Sequence, residues 1–302
     1  FYTWQRGVPE LRAAIAAYMT RHYGAPYPGA APFAPERFYV TAGGMHAIQL
    51  ALRLVCGVGD EAILPTPAWP NFLGAAIAVG AKPVFAPMRR APDAAGRTGK
   101  GKWTLDLDLI ESLITPQTRV IVVNTPSNPT GWTATAQELA ATLDLARKHG
   151  LWILADEIYG RFFYDGVRAP SFHDRLQPGD RVLFAQTMSK NWAMTGWRLG
   201  WLEAPPELGQ AVENLIQYSS SGSPVFIQRA ATAALDHGDA FIETSKARAG
   251  AARAALADAL RATGRVDFAE PDGAFYLYAH VEGFDDTRAL AMRLVDEAGV
   301  GV

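Results

Sequence analysis

The stretch Val182-Leu-Phe-Ala-Gln-Thr-Met-Ser-Lys-Asn-Trp-Ala-Met-Thr-Gly-Trp-Arg198 decides the reading of this chain. Val182 to Gln186 is an apolar run of strand character. It empties into a turn where Lys190 stands among small hydroxyl residues, and Arg198 follows eight positions later. A lysine tucked behind a hydrophobic strand gives up hydration, which is costly unless its amine has a use. One such use is a Schiff base to an aldehyde cofactor, with the hydroxyls and the arginine holding that cofactor's phosphate. The competing reading is a solvated loop lysine. Other segments of the chain supply the remaining parts of the same site, and they tip the balance.

Working outward, hydrophobic runs alternate with helical periodicity through most of the chain, which predicts an α/β fold with a mainly parallel sheet. Seven strands are expected, at Arg37–Val40, Glu61–Leu64, Pro83–Ala86, Val120–Asn124, Leu151–Ala155, Val182–Gln186 and Leu199–Leu202. Helices are expected at Pro9–Tyr23, where proline opens the first turn, and from Gly43-Gly44 to Val55. Others are expected near Trp69–Val79, Asp106–Ile114, Ala136–His149, Pro206–Ser220 and Val225–Leu235. A long alanine-rich helix from Asp239 to Thr263 leads to two strands (Val266–Ala269 and Ala274–His280) and a last helix (Asp286–Ala298). These features predict a large domain over residues 1–250 and a small α+β domain over 251–302. Arg90–Lys102 reads as a Gly/Pro-rich surface loop carrying solvated charges.

Bulk properties narrow the function. The 302 residues are 49% hydrophobic, enough for a large core, and the formal net charge of −2 offers no footprint for nucleic acid. The single cysteine, Cys56, falls in a helical pattern and excludes a disulfide scaffold or a cysteine zinc site within the chain. No apolar run approaches the roughly 20 residues of a membrane span, and no signal peptide is visible, so a cytoplasmic protein is expected.

In open α/β sheets ligands bind beyond the carboxyl ends of the strands. Thr41-Ala-Gly-Gly-Met45 joins a strand to a helix, where the amides of Gly43, Gly44 and Met45 can meet an anion at a helix N-terminus. Tight turns use glycine for other reasons too. Trp69 follows a strand and can stack on a flat ring or simply pack. Asn124-Thr-Pro-Ser-Asn-Pro-Thr-Gly131 presents Asn128 on a loop stiffened by two prolines, against the plainer reading of an Asn-Pro turn. Asp156 ends an apolar strand, where a carboxylate needs a cationic or hydrogen-bonding partner. A protonated pyridine nitrogen would serve, and Tyr159 is three residues on; the alternative is a helix N-cap.

Together these segments resemble the fold type I pyridoxal-phosphate enzymes, specifically the class I/II aminotransferases. Asn124–Gly131, Ala155–Tyr159 and Ser189–Gly200 carry the resemblance, as do Tyr2-Thr-Trp-Gln-Arg-Gly-Val-Pro-Glu-Leu-Arg12 and Pro271-Asp-Gly-Ala-Phe-Tyr276. The resemblance implies pyridoxal 5'-phosphate bound to Lys190, with Asp156 at the pyridine nitrogen. It implies Asn128 and Tyr159 at the phenolic oxygen and Trp69 on the ring. It places Arg198, Thr187, Ser189 and the amides of Gly43, Gly44 and Met45 at the phosphate. Tyr2 matches a tyrosine that reaches the phosphate of a partner subunit, which implies a homodimer with a shared site. The implied activity moves an amino group between an amino acid and a 2-oxo acid, with the freed Lys190 amine carrying the proton.

Two family features have no counterpart here. The family's N-terminal substrate segment and the arginine that grips the substrate α-carboxylate fall outside the chain, so a fragment of a longer protein is expected. Arg293 reads as the polar face of the last helix. Carbon–sulfur lyases share the cofactor residues, and some transcription regulators carry an aminotransferase-like sensor. Both stand as alternatives.

Overall fold

The computed structural model describes residues 2–91 and 101–302. Most of the expected Arg90–Lys102 loop therefore lies outside the described residues. In chain order the strands are β1 (Phe38–Thr41), β2 (Glu61–Thr66), β3 (Lys82–Pro87), β4 (Arg89–Arg90), β5 (Trp103–Thr104), β6 (Thr118–Asn124), β7 (Trp152–Asp156), β8 (Val182–Thr187), β9 (Gly200–Glu203), β10 (Val266–Phe268) and β11 (Ala279–Val281). The helices are α1 (Pro9–Tyr23), α2 (Gly44–Val55), α3 (Pro70–Ala78), α4 (Leu107–Ser112), α5 (Ala136–His149), α6 (Gly209–Ser219), α7 (Val225–His237), α8 (Asp239–Ala262) and α9 (Thr287–Ala298).

Seven strands form one sheet in the order β1-β9-β8-β7-β6-β2-β3. Pairing is parallel from β3 through β8, and β9 runs antiparallel to both its neighbours. The mainly parallel seven-stranded sheet expected of an α/β chain is what the fold contains. Strands β6, β7 and β8 are apolar along nearly their whole length because helices cover both faces of the sheet. One face packs Leu64, Val122, Leu154 and Leu183 with Ile48, Leu52 and Phe72 of α2 and α3. The other packs Ile121, Ile153 and Phe184 with Leu139 and Leu143 of α5. Each such fully buried side chain contributes about 1.5–3 kcal/mol. Helix ends are chemically specified: Thr135 and Glu138 cap α5 reciprocally, and Gly150 ends it with a left-handed φ of 66°.

Strand order reverses between β2 and β6, and that is where an open α/β sheet forms its ligand crevice. The carboxyl ends of β1, β2, β6, β7 and β8 surround it.

The structure corrects one strand expectation and settles other local details. Residues 274–278 do not form a strand; only Ala279–Val281 pairs, with β10. Ala274 takes a φ of 55°, and Ala274 N donates to Phe162 O (2.8 Å), drawing the segment out of the strand path. Gly299 closes α9 in the left-handed region, and Val300 N donates to Leu294 O (3.0 Å). Asp156 does not cap a helix, because turns follow it. Helix α8 runs unbroken through residues 250 and 251, so the expected division falls within one long helix.

Candidate active site

A cavity of about 220 Å³ lies over these strand ends, lined by Gly44, Met45, Trp69, Asn128, Asp156, Tyr159, Thr187, Ser189, Lys190 and Arg198 among others. Ten of the twelve residues singled out in the sequence therefore meet in one place. Gly43 lies beside them. Tyr2 does not line the cavity and is 93% exposed.

Asp156 forms the floor. It is fully buried at the end of β7. Its Oδ1 accepts the Ile158 amide (3.3 Å), while Oδ2 has no partner. Burial pushes its carboxyl up to about 7; the Ile158 amide and Lys190 oppose the shift and Glu157 adds to it. A buried carboxyl oxygen without a donor is costly, so this one is matched to something that enters the cavity.

Lys190 stands on the turn after β8, half-buried. Its Nζ lies 5.8 Å from the Tyr159 ring centre and 5.9 Å from that of Phe275. Burial lowers its amine below the ordinary range; the Asp156 carboxyl opposes this and Arg198 reinforces it. An amine with reduced basicity is a better nucleophile and proton carrier near neutrality.

Beyond the lysine, the cavity wall changes to an anion site. Gly43 precedes α2 with a φ of 88°. A Cβ there would sit 2.6 Å from Nη2 of Arg198, so the guanidinium lies directly against the glycine backbone. Arg198 Nη1 donates to Thr195 O (2.7 Å), which fixes it. Thr187 Oγ1 lies 3.0 Å from Ser189 Oγ and accepts the Ser189 amide (3.1 Å). The helix N-terminus, guanidinium and two buried hydroxyls make a site for a phosphate-like group.

On the opposite wall the Asn128 amide donates to Asn124 Oδ1 (2.7 Å), and Asn124 Nδ2 donates to the Asp156 carbonyl (3.1 Å). The two strand ends are thereby tied together. The Tyr159 phenol lies 2.7 Å from that of Tyr276, and either can donate; burial pushes the ionisation of Tyr159 well above the ordinary range. Trp69 precedes α3 half-buried, edge-on to Phe72 (5.6 Å, 89°).

Sequence reasoning passed over Tyr276, Asn124, Ile158 and Thr195, which also line the cavity. Tyr276 closes the Pro271–Tyr276 segment, and Asn124 opens the Asn124–Gly131 run. Both stood in segments already singled out, but neither carried a role.

A sheet crevice of this kind, with a buried carboxylate, an amine and an anion site, defines a class of cofactor-dependent α/β enzymes. The family profile for aminotransferase class I and II matches residues 1–302, and the chain belongs to that family. The aspartate/prephenate aminotransferase of Cereibacter sphaeroides is 32% identical over 100% of this chain and 75% of its own length. The aspartate aminotransferase of Musicola paradisiaca is 30% identical, over 100% and 72%. The solved structure of N-succinyldiaminopimelate aminotransferase from Mycobacterium tuberculosis superposes with a TM-score of 0.88 at 30% identity, covering 100% of this chain and 75% of that one. The protein is a transaminase by family, and family and fold imply pyridoxal 5'-phosphate as its cofactor. Among the described residues no helix is long and apolar enough to cross a membrane.

Proposed function

We propose that this cavity binds pyridoxal 5'-phosphate through Lys190 and transfers an amino group between an amino acid and a 2-oxo acid. The observation that carries the reading is the orphaned Oδ2 of buried Asp156 in the cavity that also holds the Lys190 amine. A pyridine nitrogen carrying a proton is the partner that this oxygen lacks, and pairing with it would return the carboxyl to its charged form. The donor set fits the rest of the group. Lys190 supplies the amine for its aldehyde carbon. Gly43, Gly44, Met45, Thr187, Ser189 and Arg198 would hold its phosphate, Asn128 and Tyr159 its phenolic oxygen, and Trp69 its ring face.

When bound, the cofactor supplies an electron sink for the substrate's α-carbon. Asp156 keeps the pyridine nitrogen protonated. Lys190 Nζ, released when the substrate amine takes its place, removes the α-carbon proton and holds it; its depressed basicity suits both tasks. The rings of Tyr159 and Phe275 flank that amine.

The same reading divides the chain into a large cofactor-binding unit (residues 1–250) and a smaller unit (251–302). It places the enzyme in the cytoplasm as a homodimer, with Tyr2 reaching the partner subunit's phosphate site. The exposure of Tyr2, and of Trp4, Tyr218 and Phe226, supports a subunit contact there.

The test is a half-reaction. An amino acid added to protein loaded with pyridoxal phosphate is expected to yield the matching 2-oxo acid and the aminated cofactor. Release of ammonia instead would identify an eliminating enzyme, and absence of both products would contradict the assignment.

A further inference from the structure

Tyr276 reaches the cavity from beyond α8, on a segment folded back against the sheet. Asp272 N and Gly273 N both donate to Gly131 O (3.1 and 3.2 Å), and Tyr164 N donates to Asp272 O (3.1 Å). Tyr164 Oη donates to Ala274 O (2.7 Å). Ala274 is fully buried with a φ of 55°, a conformation seldom taken by a non-glycine residue. Two residues on, Tyr276 lines the cavity. A Cβ on Gly273 would lie 2.7 Å from Pro126, so the segment sits directly on the loop that presents Asn128. Phe275 then stands edge-on to Tyr159 (5.2 Å, 86°), and Tyr276 Oη lies 2.7 Å from Tyr159 Oη.

A phenol oxygen has one proton to give and accepts two hydrogen bonds. The Tyr276 hydroxyl lies 2.7 Å from the oxygen of Tyr159, where either phenol can donate, and Asn128 lines the same cavity. If Tyr276 donates, the Tyr159 proton is left for the cavity. We propose that Tyr276 is a positioning residue for the transfer reaction: it donates to Tyr159 Oη and commits the Tyr159 O–H to the phenolic oxygen of the bound cofactor. The inference rests on the reading above, in which Tyr159 meets that oxygen. A chain of hydrogen bonds running one way polarises each member, so Tyr276 also makes Tyr159 a stronger donor. The charged groups lining the cavity with Tyr159 are Asp156, Lys190 and Arg198.

The experiment follows, by absorbance, the pH at which the chromophore bound at Lys190 changes its band. It compares the wild type, Tyr276→Phe, Tyr159→Phe and the double variant. A donor to the phenolic oxygen weakens that oxygen's hold on a proton, so losing the donor moves the midpoint up. Tyr159→Phe is expected to raise it. Tyr276→Phe is expected to raise it less, by roughly half a unit. The double variant is expected to match Tyr159→Phe, because Tyr276 acts only through that hydroxyl. An unmoved or lowered midpoint in Tyr276→Phe, or a further shift when it is added to Tyr159→Phe, would overturn the inference while leaving the parent reading intact. If Tyr159→Phe itself moves nothing, both fall together.

Discussion

Asp156 and Glu157 are neighbours in the chain, both buried, and in opposite situations. Glu157 accepts the Ser171 hydroxyl (2.6 Å) and the Phe172 amide (3.0 Å). It belongs to a cluster in which His173 stacks on Phe184 (3.9 Å, 10°) and sits 3.2 Å from Glu203, which Arg37 also meets (3.0 Å). Asp156 faces the cavity with one oxygen unused. Burial raises the carboxyl of both. A low-dielectric interior thus perturbs both residues, but only the one whose partner is missing is available for chemistry. Both oxygens of Glu157 are hydrogen-bonded, whereas Asp156 keeps one open to the cavity.

The two regions should separate cleanly under mutation. The largest effect is expected from Asp156→Ala, which should cut turnover by on the order of 10³-fold through loss of the group that keeps the pyridine protonated. Near neutral pH the cofactor-free variant should be no less stable than wild type, because burying this carboxyl opposes folding there. Steady-state kinetics and chemical denaturation check both halves, and near-normal turnover would remove Asp156 from the mechanism. Glu157→Ala should do the reverse, costing about 3 kcal/mol by stranding the Ser171 and Phe172 donors. Turnover of the folded fraction should change little; a large loss of turnover with unchanged stability would erase the distinction.

Smaller effects sharpen the same contrast. Gly43→Ala places a methyl against Arg198 at a φ unfavourable to alanine, and should weaken pyridoxal phosphate binding by about tenfold in an equilibrium titration. An unchanged affinity would mean that this wall is not the phosphate site. A separate contrast concerns pH. Asp156 titrates near 7 when folded, against an ordinary value of 3.8. The folded, cofactor-free protein therefore holds a proton that the unfolded chain releases, and stability should fall as pH rises from about 4 to about 7. Asp156→Asn should flatten that part of the stability profile. A slope identical to wild type would show that the carboxyl is not perturbed.

Most of this architecture was legible in the sequence because fully covered strands read as continuous apolar runs, and β6, β7 and β8 are covered on both faces. The site was legible for a related reason. Asn128, Asp156 and Lys190 each follow such a run, so their convergence comes with parallel pairing. The antiparallel course of β9 was hidden, since a four-residue buried strand looks the same in either direction. The break at Ala274 was hidden too. Its apolar surroundings suit a strand, and only tertiary hydrogen bonds to Phe162 and Tyr164 impose the positive φ. Tyr276 and the His173–Glu203 pair depend on contacts between residues far apart in the chain, which no local pattern records.

The most direct test of the account is borohydride reduction of the purified protein incubated with pyridoxal phosphate, followed by absorbance and peptide mapping. The account predicts a visible band that reduction abolishes, with the cofactor fixed on Lys190 and no label on a Lys190→Ala variant. Label at another lysine, or an unaltered band in Lys190→Ala, would contradict it.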